Sequence, residues 1–137
     1  MTKMIRILLP VVAAVLFLSA CPVEPPVGTI ENPLVLDTYV ESNVRYSAAI
    51  GEEELYVQVV NIPYFNNAHT VTLTGLTGDV DLFTYSDAFV TAEDSSQSAG
   101  LAAEDATGTT TATGELYIRI DGSVSTGTKW FTLDAGT

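Results

Sequence analysis

Cations, cysteine and histidine are scarce in this chain of 137 residues: five Lys and Arg stand against seventeen Asp and Glu, with one Cys and one His. At a formal charge of -12 it lacks the clustered basic side chains that phosphate contacts demand, which excludes nucleic acid as a partner. Non-specific adsorption to anionic lipid is disfavoured on the same ground. A single cysteine allows no internal disulfide, no Cys-rich zinc site and no iron–sulfur cluster, and a lone His69 rules out any multi-histidine metal centre. A catalytic triad would have to use His69, and no nucleophile-elbow glycine pattern accompanies it. Long hydrophobic runs are missing too. The stretch from Ile7 to Ala20 is shorter than the roughly 20 residues a membrane helix needs. What remains, at 47% hydrophobic, suffices for the core of one acidic domain.

Lys3 and Arg6 precede that uncharged run, and Ser19 and Ala20 close it, in the pattern of a secretory signal peptide. Leu18-Ser19-Ala20-Cys21 resembles the lipobox of bacterial lipoproteins, in which the cysteine is diacylated, the preceding signal is removed and the new amino terminus is acylated as well. The resemblance implies lipidation at Cys21, and two or three acyl chains meet the requirement for a stable anchor that one chain alone does not. Pro22, in place of an inner-membrane-retaining Asp, implies an outer-membrane or surface location in a two-membrane cell envelope. Pro22, Pro25 and Pro26 favour extended backbone, so residues 21–28 are expected to be a short stiff tether between the signal at 1–20 and a domain at 29–137. Loss of the signal removes Lys3 and Arg6 but no acid, which leaves the remaining chain two charges more negative.

From Asn43 onward the apolar residues alternate or fall in β-branched and aromatic runs bounded by Gly, Pro, Asn or Asp, and the expected fold is all-β. Strands are expected at Leu34–Leu36, Asn43–Ile50, Glu54–Ile62, His69–Leu76, Val80–Ser86, Thr109–Ala112, Glu115–Asp121 and Thr128–Leu133. About eight such strands make two packed sheets or a barrel. Alternation puts Leu55, Val57, Val59, Val71, Leu73, Val80, Leu82, Leu116, Ile118, Ile120, Phe131 and Leu133 inside. It turns Tyr56, Phe83, Tyr85, Tyr117 and Trp130 the other way, either as an aromatic platform for a carbohydrate or peptide or as side chains that cap sheet edges or pack under loops. The interval from Thr91 to Gly114 has one large aliphatic, Leu101, and two copies of Ala-Glu-Asp; a loop so long either binds something or hides a strand.

The segment Val71-Thr-Leu-Thr-Gly-Leu-Thr-Gly-Asp-Val-Asp-Leu-Phe-Thr-Tyr-Ser86, followed by Gly114-Glu-Leu-Tyr-Ile-Arg-Ile-Asp-Gly122 and Trp130-Phe-Thr-Leu133, resembles the bacterial pre-peptidase C-terminal domain over about residues 28 to 134. The resemblance implies a jelly-roll-like antiparallel β-sandwich that is not itself catalytic, accompanies secreted enzymes, and in some members binds collagen, polysaccharide or calcium. Asp79 and Asp81, two apart on a strand, project from one face about 7 Å apart and suit a shared calcium if other oxygens help. In calcium-binding relatives the remaining ligands correspond to Glu31, Asn32, Glu53 and Glu54, although Pro33 replaces an acid common after that Asn. The bland reading of the pair has Asp79 satisfying turn amides and Asp81 facing water. The functional expectation is a non-catalytic, lipid-anchored envelope module that binds a protein or polysaccharide, with calcium as a possible cofactor. The alternative is a structural lipoprotein or an accessory subunit to a separate secreted hydrolase.

Overall fold

The computed structural model describes residues 26–38 and 44–135; Cys21, the lipobox, most of the tether and Asn43 lie outside them. The described chain is all-β, with nine strands: β1 (Leu34–Asp37), β2 (Val44–Ile50), β3 (Glu54–Val60), β4 (Ala68–Thr74), β5 (Asp81–Tyr85), β6 (Ala92–Ser96), β7 (Glu104–Thr109), β8 (Leu116–Asp121) and β9 (Lys129–Ala135). They form a five-stranded sheet in the order β1-β3-β8-β5-β6 and a four-stranded sheet in the order β2-β9-β4-β7. Only β1 runs parallel to its neighbour, pairing Leu34 with Val57. The other pairings nest: β2 with β9, β3 with β8, β4 with β7 and β5 with β6.

Period-two alternation builds the core. Val57 and Val59, Val71 and Leu73, Leu82, Leu116, Ile118, Ile120 and Leu133 are fully buried between the sheets, with Phe131 and Val80 beside them and Leu55 packed against the cluster. All twelve residues expected inside are therefore in or against the core.

The region from Thr91 to Gly114 hides strands, one of the two readings its length left open. It contains two strands, β6 and β7, while the strand expected at Thr109–Ala112 ends at Thr109, where β7 stops. Both lack the apolar alternation that reveals a strand. β6 is an edge whose residues are nearly all exposed. β7 turns Glu104, Ala106 and Gly108 inward, and a Cβ at Gly108 would stand 2.5 Å from Leu116 Cδ1, so the space admits no larger side chain. The two Ala-Glu-Asp copies fall at these facing edges. Asp94 accepts the Thr107 amide at 2.8 Å and Glu93 accepts that of Thr109 at 2.8 Å, so β6 carboxylates satisfy amides of an edge strand that would otherwise be free to pair with another chain.

The sandwich has two distinct ends. At one lie the β2–β3 turn, the β8–β9 loop and the amino-terminal strap, where Gly28 accepts the Tyr56 amide at 2.8 Å. At the other lie the β3–β4 loop, with Tyr64 and Phe65 exposed, and the β5–β6 loop.

Candidate functional site on the outer face of the five-stranded sheet

Register assembles the outer face from three central strands. Tyr117 on β8 lies opposite Gln58 on β3 and Tyr85 on β5; Arg119 lies opposite Tyr56 and Phe83; Asp121 lies opposite Glu54 and Asp81. Outward side chains on adjacent strands stand within reach of one another, so each row is a contact. The Arg119 guanidinium sits 4.0 Å from the centre of the Phe83 ring, a cation–π geometry, and its Nη1 donates to Glu54 at 2.7 Å. Arg119 Nε finds no acceptor among the described residues. Glu54 also accepts the Tyr56 hydroxyl at 2.7 Å, and Gln58 donates to Glu115 at 3.1 Å and to the Tyr117 hydroxyl at 3.4 Å. Burial, followed by hydrogen bonding to Glu54, pushes the Tyr56 phenol above its ordinary value; burial and the charge of Glu115 do the same for Tyr117.

Four of the five aromatic residues expected to point outward thus share one face: Tyr56, Phe83, Tyr85 and Tyr117. Trp130 is on β9 of the opposite sheet and 58% exposed. Three of the four are capped by a residue that sequence reasoning missed. The β5–β6 loop folds back over the sheet, and Phe89 meets Tyr56, Tyr117 and Tyr85 edge-on at centroid distances of 5.1, 5.2 and 5.8 Å. The only signal for it was a turn-forming Asp followed by one aromatic in a segment of small residues. Asp87 accepts the amides of Val90 and Thr91 and the Thr91 hydroxyl, which holds the loop and pulls its carboxyl below the usual range.

The six residues expected to serve calcium do not gather into one cluster. Among the described residues no three His, Cys, Asp or Glu side chains are grouped to hold a metal ion. Asp79 accepts the Gly100 amide at 2.9 Å, Glu53 accepts the Gly51 amide at 3.1 Å, and Glu54 is engaged by Arg119 and Tyr56. Glu31 is exposed and Asn32 half-buried in the strap. Two strand spacings, about 10 Å, separate Glu54 from Asp81, with Asp121 between them. Asp121, which alternation alone turned outward, is the acid the expected set omitted.

The cation actually set into this end of the sandwich is Lys129, 1% exposed, whose Nζ donates to the carbonyls of Gly51 at 3.0 Å, Gly122 at 2.6 Å and Ser125. Gly78 of the central motif is required by this lysine: a Cβ there would lie 2.5 Å from Lys129 Cγ. Arg45 pairs with Asp134 at 3.1 Å, so all three described cations are engaged and the surface field is that of the acids. His69 is buried on the inner face of β4. A cavity of about 340 Å³ between the strap and the β2–β3 turn is lined by Val27, Ile50, Leu55, Glu53 and Glu54 among others. Its two carboxylates are the ones engaged by Gly51, Tyr56 and Arg119.

No protein-family model and no curated protein matches the chain. Among solved structures it is similar to PliG of Salmonella Typhimurium, a periplasmic lysozyme inhibitor of g-type lysozyme, at 10% identity and a TM-score of 0.43, over 75% of this chain and 97% of that one.

Proposed function

We propose that this protein is a non-catalytic binding module of the bacterial cell envelope, anchored by lipid at Cys21, that takes a protein or polymer ligand on the outer face of its five-stranded sheet. The observation that carries this reading is the polarity of the sandwich. The chain enters along β3 through Gly28, at the end holding Lys129 and the β2–β3 turn, while Phe89, Tyr64 and Phe65 crown the other end. Seven residues from Cys21 to Gly28 reach at most about 25 Å, so an anchor at Cys21 holds the first end near lipid and presents the aromatic loops away from it. The outer face joins apolar rings to planar polar groups, Glu54, Gln58, Glu115 and Arg119, the combination that fixes a ligand's position and orientation.

The nested pairing of β2 to β5 with β9 to β6 supports a jelly roll, the architecture implied by the resemblance to the pre-peptidase C-terminal domain. Catalysis has little to work with, because the cavity's carboxylates are committed to structural hydrogen bonds. Calcium belongs to the proposal only as a loosely held counter-ion that relieves the repulsion between the facing carboxylates of Asp81 and Asp121, since no three acids among the described residues are grouped to hold the ion.

The test is made in cells on the full chain, with an alkyne fatty acid to report acylation and a photo-crosslinking residue at Gln58 or, on the opposite sheet, at Thr72. We expect acylation that Cys21→Ser abolishes, and a discrete crosslinked species from Gln58 but not from Thr72. Acylation unchanged in Cys21→Ser would overturn the anchor. Equal crosslinking from both faces would overturn the binding face in favour of a structural envelope protein, whereas capture of a secreted hydrolase at Gln58 would identify the ligand as a partner enzyme.

A further inference from the structure

Phe89 combines two features that folding alone does not require together. Its φ is +62°, in the left-handed region where a side chain bearing a Cβ is disfavoured and a bulky one is rare. Yet its ring fills a preorganised site, with every contact to a tyrosine in the edge-to-face arrangement that aromatic pairs prefer. The tyrosines are held independently of it. Register fixes their backbones, Glu54 pins the Tyr56 hydroxyl, and Gln58 pins that of Tyr117. The loop bearing Phe89 is held chiefly by Asp87, and its neighbour Val90 is 80% exposed. A rigid socket is therefore closed by a strained ring on a surface loop.

Resting on the reading of this face as the binding surface, we infer that the Tyr56–Tyr85–Tyr117 socket is a recognition site for an aromatic side chain of a partner polypeptide, and that Phe89 is its built-in competitor. The resident ring defines the ligand chemistry: a flat, unsubstituted six-membered ring in T-shaped contact with three tyrosines. The rim defines what flanks it. Glu54, Glu115 and Asp87 border the socket, and Arg119, the nearby cation, is already paired with Glu54, so the fitting segment carries lysine or arginine beside its aromatic residue. Binding requires the loop to swing out, and the affinity seen by the partner is reduced by the fraction of molecules whose loop is closed.

The probe is acetyl-Lys-Phe-Lys-amide, with acetyl-Lys-Ala-Lys-amide as control and an N-acetylglucosamine trimer as the sugar alternative, titrated against the full chain in detergent. Phe89→Ala is expected to bind the Phe peptide about tenfold or more tightly than the unmodified protein, to ignore the Ala peptide, and to lose the gain when combined with Tyr117→Ala. Phe89→Gly, which tolerates the positive φ, is the companion should Phe89→Ala unfold, and thermal unfolding identifies which variant is folded. No gain in either folded variant, or an equal gain for the Ala peptide, overturns the inference; tightened binding of the sugar alone overturns the polypeptide class. Failure here with selective crosslinking at Gln58 intact would remove the plug and leave the binding face standing.

Discussion

The two outer faces of the sandwich obey the same alternation and are furnished differently. On the four-stranded sheet the outward rows are Ser47–Thr132–Thr74 and Arg45–Asp134–Thr72–Asp105, short hydroxyls and acids with one cation, Arg45, and one aromatic, Trp130, at the margin. On the five-stranded sheet the rows are Gln58–Tyr117–Tyr85, Tyr56–Arg119–Phe83 and Glu54–Asp121–Asp81. Threonine satisfies β-propensity and solubility with little else, and the first face shows that this fold needs no more than that on its outside. Long interlocked side chains under a folded-back loop are an addition, and the proposed binding face rests on that difference.

The comparison presupposes one core carrying both faces, and the largest effect comes from breaking that support. Lys129 lies on β9 of the four-stranded sheet but ties together the β2–β3 turn at Gly51 and the β8–β9 loop at Gly122 and Ser125. Lys129→Met keeps the apolar stem and leaves three carbonyls without their donor, at a cost of about 3 kcal/mol. Urea unfolding followed by circular dichroism measures it, and both faces are expected to be lost in a single transition. A cost below about 1 kcal/mol, or two separate transitions, would show that the ammonium is not what joins them.

Legibility in the sequence followed burial on one face. Where one side of a strand meets the core and the other meets water, as in Leu116-Tyr117-Ile118-Arg119-Ile120-Asp121, the inner and outer sets were readable to the residue. Where the inner face is made of Glu104, Ala106 and Gly108, or where the strand is an exposed edge such as Ala92–Ser96, hydrophobicity carries no period, so the length of the interval hinted at a hidden strand but neither strand was located. The aromatic face was half legible. Its sheet residues follow from alternation, but their neighbours come from register, which pairs Tyr56 with Arg119 and Asp81 with Asp121 across separations no local pattern reveals. Phe89 was illegible because a loop's path over a sheet is set by tertiary contacts, here three tyrosine rings. Trp130 was grouped with the tyrosines because alternation says "outward" without saying from which sheet.

A smaller effect sharpens the contrast between the faces themselves. Tyr117→Ala removes a nearly buried ring that contacts Phe89 and is expected to cost about 2 kcal/mol, while Thr132→Ala on the opposite face costs under about 0.5 kcal/mol. A double-mutant cycle with Phe89→Ala should assign about 1 kcal/mol of the first figure to the ring pair. Comparable losses at both positions would erase the distinction on which the site assignment rests.

The smallest effect probes the acidic row at the foot of the same face. Asp81 faces Asp121 directly across the β5–β8 pairing; burial first, and then the charges of Asp79, Asp121 and Glu104, raise its carboxyl above the ordinary range, with Arg119 opposing them. A carboxyl raised on folding penalises the native state when ionised, so the penalty is complete above the folded value and vanishes below the unfolded value near 3.9. Asp81→Asn is therefore expected to stabilise the protein at pH 7, by about 0.5 kcal/mol given the solvent screening of a partly exposed pair, and the gain should fade as pH drops toward 4. Urea midpoints at the two pH values read the difference directly, and raising the salt to 1 M should shrink it at pH 7. A gain that persists unchanged at low pH would mean that the substitution acts through packing instead. Millimolar calcium makes the final discrimination: if the ion relieves the same repulsion, it stabilises the unmodified protein and leaves Asp81→Asn unmoved, whereas equal shifts in both would remove Asp81 from any cation site.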